Sequence, residues 1–191
     1  KEEEDKQMNV VVAIDSLKGS LSSMDAGQAA REGILKAFPK ANVDVCPLAD
    51  GGEGTVEALA GGINGKIRQA EVTGPLGEKV ICKYGMLEGG IGVIEMAEAA
   101  GLALVPSNLR NPLHTTTYGL GEAIKDGIGN GCRKFIIGLG GSATNDGGMG
   151  MLQALGFEFL DHHGNPAAFG AKGLENLAFI SGEHAMPQLG E

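Results

Sequence analysis

Apolar residues run unbroken from Val10 to Ile14 and stop at Asp15. A continuous run rich in β-branched side chains predicts a strand over residues 9–14, buried on both faces of a parallel sheet. Beyond the polar stretch Asp15-Ser16-Leu17-Lys18-Gly19-Ser20, apolar positions recur at helical spacing at Ala26, Ala29, Ala30, Ile34 and Leu35. They give one apolar face to a helix that Ser22 or Ser23 caps and that ends near Phe38, before Pro39. Residues 43–47 read as a second strand, which empties into Leu48-Ala49-Asp50-Gly51-Gly52-Glu53-Gly54-Thr55 and a helix over about 56–60. Strand, loop and helix thus follow one another twice. That order predicts a parallel or mostly parallel sheet with right-handed crossovers, whose loops gather at the edge where ligands bind.

From Lys66 the pattern changes to alternating, hairpin-like segments: residues 66–73, the turn Gly74-Pro75-Leu76-Gly77, residues 80–86 and residues 91–96. A domain boundary is therefore placed near residue 70. Glu95 interrupts the last of these apolar runs, which calls for either a buried partner or a turn toward a cleft. Residues 115–128 read as a helix. The run Phe135-Ile136-Ile137 then leads into Gly138-Leu139-Gly140-Gly141-Ser142-Ala143-Thr144-Asn145-Asp146-Gly147-Gly148-Met149-Gly150 and a further apolar segment, 151–155. Residues 157–160 suit a strand with a turn at 161–165, and the remainder is weakly patterned.

Composition narrows the class. Glycines number 33 in 191 residues, against a usual share of about 7%, and their scatter implies many tight turns and no fibrous repeat. Aromatic residues are 4%, with no Trp, which argues against a surface for stacking nucleic acid. The net charge of −9 repels nucleic acid and small anions alike. An anionic ligand would need local compensation from Lys18, Arg110, helix-start N–H groups or a divalent cation. Cys46, Cys82 and Cys132 are widely spaced and form no C-x-x-C pair, so they read as reduced thiols. No apolar run approaches the roughly 18 residues of a membrane span and no signal peptide is evident, so the expected location is the cytoplasm. Residues 1–7 read as a charged lead-in ahead of Met8.

The run from Gly138 carries the most chemistry. Glycines let backbone N–H groups approach a ligand and a helix start adds partial positive charge, a combination suited to phosphate or carboxylate. Gly140, Gly141, Ser142, Thr144 and Asn145 are the binding candidates there, and Asp146 is a candidate base or cation ligand. The first loop offers Asp15, Ser16, Lys18 and Ser20 as binding candidates: Lys18 gives a point charge to phosphate oxygens while the Ser16 and Ser20 hydroxyls and backbone amides add directional bonds. A capped helix start with a surface lysine would look the same, and the Gly-Lys-Ser/Thr ending of a Walker A loop is missing. Asp50 and Glu53 can hold a divalent cation or take a proton from a substrate hydroxyl. Equally, they can simply favour a helix N-terminus. Arg110, within Asn108-Leu109-Arg110-Asn111-Pro112-Leu113-His114-Thr115-Thr116-Thr117-Tyr118-Gly119, offers paired hydrogen bonds to a carboxylate or phosphate. His162 and His163 are adjacent in a turn, point apart and read as solvent-exposed.

Several of these stretches together resemble the bacterial glycerate kinase family: Asp15-Ser16-Leu17-Lys18-Gly19-Ser20-Leu21-Ser22, Ala49-Asp50-Gly51-Gly52-Glu53-Gly54-Thr55, Val72-Thr73-Gly74-Pro75-Leu76-Gly77, Asn111-Pro112-Leu113-His114-Thr115-Thr116-Thr117-Tyr118-Gly119 and Gly140-Gly141-Ser142-Ala143-Thr144-Asn145-Asp146-Gly147-Gly148. The order and spacing match from about Val10 onward. The resemblance implies an α/β fold of two domains with the active site between them. One is flavodoxin-like, and residues 8–70 would begin it. The other is an inserted domain of restriction-endonuclease-like topology, to which residues 71–191 would belong. It also implies ATP-dependent phosphorylation of D-glycerate to 2-phosphoglycerate, or to 3-phosphoglycerate in the wider family, with ATP and Mg²⁺ as cofactors.

On that plan Lys18, Ser16 and Ser20 bind phosphate or the substrate carboxylate. Asp50 or Asp146 takes the hydroxyl proton or holds Mg²⁺, and amides of residues 140–148 steady an anionic group. Ile14 and Leu17 stand where the family often has Pro and an aromatic residue, and Leu48 where it has Met; no reacting group is lost. Family members are longer, and their later Gly-Ala-Gly segment and Thr-Gly-Glu-Gly motif have no counterpart here. The chain therefore reads as an amino-terminal half, expected to be inactive alone and to expose unpaired strand edges. Two rival readings keep the same loops: a non-catalytic anion-binding module, and a kinase of a related small hydroxy acid.

Overall fold

The first apolar run forms β1, Asn9–Ile14, in the computed structural model, which describes residues 8–17, 20–62 and 65–190. Contacts divide the chain into two units, Lys1–Asp50 and Gly51–Glu191. In the first, β1 pairs in parallel with β2, Asn42–Pro47, in a register running from Asn9↔Asn42 to Ile14↔Pro47. Helix α1, Ser23–Ala37, makes the crossover. Its N-cap is Ser22, whose hydroxyl accepts from Asp25 N–H (3.1 Å) and donates to the Asp25 carboxylate (2.7 Å). This exchange settles two polar groups at the helix start.

Helix α1 covers one face of the β1–β2 pair, with Gly27 against Val45 and Ile14. On the opposite face Val11 is 64% exposed. The expectation that β1 is buried on both faces is thus corrected. With one helix and two strands in the unit, β1 alternates between covered and uncovered positions despite its continuous apolar sequence.

The second unit is built on a four-stranded sheet of order β3-β4-β5-β6. Strands β3 (Lys66–Thr73), β4 (Lys79–Leu87) and β5 (Ile91–Glu95) are antiparallel neighbours. Strand β6 (Lys134–Gly138) returns parallel to β5. Helix α2, Thr55–Gly62, packs on one side, where Gly85 and Val93 meet Val56 and Ala60. Helices α3 (Met96–Ala100) and α4 (Tyr118–Gly129) cover the other, closing a core of Val72, Cys82, Tyr84, Ile94, Leu120 and Ile124. Helix α5, Met149–Ala154, lies so close to α4 that a Cβ on Gly121 would sit 2.2 Å from the Met151 carbonyl oxygen. No larger residue fits there without moving backbone. A hairpin of β7 (Glu158–Asp161) and β8 (Leu177–Ser181) follows.

The change of pattern near residue 70 falls inside β3, where Ala70 pairs with Cys82. Contacts part at Asp50 and Gly51, and α2 is packed on β4 and β5. All three cysteines are free. Cys82 and Cys132 are buried, and burial pushes the Cys82 thiol up to about 12, an inert packing residue. Among the described residues no helix is long and apolar enough to cross a membrane.

Candidate active site

In the first unit, parallel pairing sends both strands out at the same edge, where Leu48 N–H donates to the Ile14 carbonyl (2.9 Å). The loops after β1 and β2 therefore leave side by side, as parallel topology requires. Asp15 is half-buried and accepts from Ser16 N–H (2.7 Å); Ser20 is exposed in a turn closed by its N–H on the Leu17 carbonyl (2.8 Å). Asp50 is exposed at the end of the second loop. Lys18 lies outside the described residues.

In the second unit the same rule holds for β5 and β6, whose last residues, Glu95 and Gly138, are register partners. The loop after β6 folds directly onto the loop before α2. Gly140 N–H donates to the Gly51 carbonyl (2.9 Å), a Cβ on Gly138 would lie 2.5 Å from that oxygen, and one on Gly140 would lie 2.6 Å from Gly52 Cα. These glycines are glycine because two backbones touch, a reason unlike the anion-cradling one expected from sequence. Glu53 is exposed on the partner loop.

The polar residues beyond Gly141 fall into two groups. Arg110, Ser142 and Thr144 line one pocket of about 250 Å³, together with Val105 and Thr115. Its walls are well fixed. Leu102 N–H donates to Gly141, Ala143 N–H to Ala100, the Ser142 hydroxyl to Leu139 (2.7 Å) and the Thr115 hydroxyl to Ala143 (2.7 Å). Arg110 Nε donates to the Val105 carbonyl (3.2 Å), which places the guanidinium at the rim. Asn145 is exposed on the same loop.

Asp146 belongs to the second group and departs from its expected role. It is 1% exposed. Its oxygens accept from Thr117 N–H (2.9 Å), the Thr117 hydroxyl (2.9 Å), Gly148 N–H (3.1 Å) and Gly150 N–H (3.2 Å). The Thr117 hydroxyl in turn accepts from Met151 N–H (2.9 Å). A carboxylate so engaged ties the starts of α4 and α5 together and has no lone pair aimed at a substrate or cation. The sequence carries Thr115-Thr116-Thr117 at this helix start, but residue type alone does not show that Thr117 partners Asp146. A hydroxyl-rich helix start was the available signal.

Glu95 resolves toward the buried alternative. It is 2% exposed, and its Oε1 accepts from Val56 N–H at the start of α2 (2.6 Å). Burial holds its carboxyl above the ordinary glutamate range. The Val56 and Gly54 N–H groups oppose that rise, and the charges of Glu57 and Glu98 add to it. The stability contributed by a group with a raised folded pKa is fully present below its unfolded pKa, about 4.3 for glutamate, and is lost as pH rises through the folded value. Glu95→Gln keeps an acceptor for Val56 and removes the titration. The variant is expected to be more stable than wild type at neutral pH, with the difference shrinking on acidification toward the ordinary glutamate pKa. Paired denaturant titrations over that range check this, and a pH-independent difference would contradict it.

A larger pocket of about 500 Å³ runs along α4 between Tyr118 and Asn130, lined by none of the expected residues. Its carboxylates are already engaged: Glu122 accepts from Thr73 N–H, and Asp126 accepts from the Tyr84 hydroxyl (2.6 Å). His162 and His163 are exposed, and among the described residues no three His, Cys, Asp or Glu side chains converge.

Against known proteins, the profile of the glycerate kinase family matches residues 10–191. The glycerate kinases of Haemophilus influenzae and Bacillus subtilis are 48% and 50% identical over 183 and 174 residues, covering 95% and 91% of this chain. The glycerate 2-kinase of Escherichia coli is 48% identical over 183 residues, again covering 95%. These matches span 48%, 46% and 48% of the respective relatives, so the chain has about half their length. The crystal structure of a putative glycerate kinase 2 from Salmonella typhimurium LT2 matches the fold with a TM-score of 0.84 at 47% identity, covering 96% of this chain and 50% of that one. Similar in sequence and in fold across nearly all of its residues, the chain belongs to the glycerate kinase family.

Proposed function

We propose that this chain supplies substrate-binding and phosphate-binding loops for phosphoryl transfer from ATP to a hydroxyl of D-glycerate. The observation that carries the reading is the pocket where Arg110, Ser142 and Thr144 meet in a member of the glycerate kinase family. Its lining suits a small hydroxy acid: a guanidinium for the carboxylate and hydroxyl groups for the substrate's own. Lys18, with Ser16 and Ser20, is assigned to phosphate oxygens. Asp50 is assigned to the hydroxyl proton or to Mg²⁺. Asp50 is exposed at the end of its loop, and a carboxylate there suits a hard cation that keeps water and phosphate oxygens as its other ligands. Mg²⁺, when bound, neutralises charge on the transferring phosphate. The product is assigned as 2-phosphoglycerate, in line with the name of the Escherichia coli relative.

The test is ADP release by the full-length protein given ATP and D-glycerate, with the phosphorylated carbon identified by phosphorus–proton coupling in NMR. Glycerate-dependent release with phosphate on C2 is expected. Binding without release would favour the non-catalytic module, and faster turnover of another hydroxy acid would reassign the substrate.

A further inference from the structure

Glu95 is an expensive residue for its place. It ends a central strand, is 2% exposed, and lies on the side of the sheet that Val56, Ala60 and Val93 make apolar. A buried carboxylate costs free energy unless its bonds return something that an apolar side chain cannot. What it returns is closure of a ring. From Glu95 the ring passes across the register pair to Gly138, along the loop to Gly140, and by its N–H to the Gly51 carbonyl (2.9 Å). It continues through Gly52, whose carbonyl accepts from the Thr55 hydroxyl (2.8 Å), to Val56 N–H and back to Glu95 (2.6 Å). The loop carrying Glu53 is therefore held at both ends, by Gly140 where it begins and by Glu95 where it enters α2.

We propose that Glu95 is a positioning residue that locks the 51–55 loop to the 138–142 loop, so that Glu53 and Ser142 are presented as one rigid group. Its catalytic consequence rests on the phosphoryl-transfer reading above; the mechanical lock does not. Glu95 touches no reacting atom. It acts through the Val56 amide and the paired glycine backbones.

The test pairs amide hydrogen exchange with kinetics in the full-length protein. In wild type, Val56 and Gly140 are expected to exchange through one shared opening, with protection factors equal within about threefold. Glu95→Met, which keeps bulk but removes the acceptor, is expected to lower protection at both amides. It should also cut kcat on the order of tenfold to a hundredfold through misplacement of the loops, with a smaller change in KM. Glu95→Gln is expected to restore both readouts to near wild type. Independent opening of Val56 and Gly140 in wild type would overturn the lock. So would Glu95→Met leaving Gly140 protection unchanged, or Glu95→Gln being as impaired as Glu95→Met. If Glu95→Met fails to fold, the wild-type exchange and the Gln variant still decide. If wild type shows no turnover, the functional reading falls and the exchange measurements alone judge the lock.

Discussion

Asp146→Ala is expected to lower the unfolding free energy by about 2–4 kcal/mol, the cost of leaving several buried donors without their acceptor. The donors left behind are the Thr117 N–H and hydroxyl, Gly148 N–H and Gly150 N–H, in a site where Asp146 is 1% exposed. Each buried donor without a partner costs about 1–3 kcal/mol, and the contributions do not add because the loop relaxes. The loss should appear as a fall in Tm on the order of 10 °C for a chain of this size. Asp146→Asn helps little, since its amide NH₂ would face the same N–H donors. Thr117→Val should shift stability in the same direction by less. The double variant should lose less than the sum of the two single losses, because both residues serve one network. An Asp facing substrate would behave in the opposite way, abolishing turnover while leaving Tm in place. Thermal unfolding of Asp146→Ala therefore separates the two roles, and an unchanged Tm would return Asp146 to the chemistry.

What could be read from the sequence follows the range of the forces involved. Strand β1, strand β3 and helix α1 with its Ser22 cap lie where the apolar pattern puts them, because repeat period and capping chemistry are local. Helix α3 has no signature of its own in the sequence, since its few residues follow the apolar run of β5 without a breaker. Strand β8 carries no alternation to read: Leu177-Ala178-Phe179-Ile180 is apolar throughout, and Phe179 and Ile180, adjacent and on opposite faces, are both 60% exposed. In the site, residue type was legible and partner was not. A glycine that admits another backbone, as Gly140 admits Gly52, is written with the same letter as one that cradles an anion. An aspartate that binds backbone N–H groups looks the same in sequence as one that binds magnesium. Glu95 was the exception, because a charge within an apolar strand is anomalous whatever its partner.

Lys18→Ala is expected to lower kcat/KM for glycerate phosphorylation on the order of 10²–10³, the effect of deleting one group that meets developing charge at a transition state. The expectation rests on charge and topology. The chain carries −9, and both ATP and glycerate are anions, so the proposed reaction needs local positive charge to bring them together. Lys18 is the basic residue of the Asp15-Ser16-Leu17-Lys18-Gly19-Ser20 stretch, which begins where β1 ends, at the edge from which the Asp50 loop also leaves. If the charge is spent on phosphate, Lys18→Arg should recover part of the rate, and raised ionic strength should depress wild type more than Lys18→Ala. On the proposed role toward ligand, the unfolding free energy should stay within about 0.5 kcal/mol of wild type. That outcome mirrors the one expected at Asp146, where stability moves and charge toward ligand is not at stake. A Lys18→Ala enzyme that keeps kcat/KM within about threefold, with its salt dependence intact, would remove this lysine from the phosphate site. Arg110 would then be the next basic residue to test, by the same rate and salt measurements.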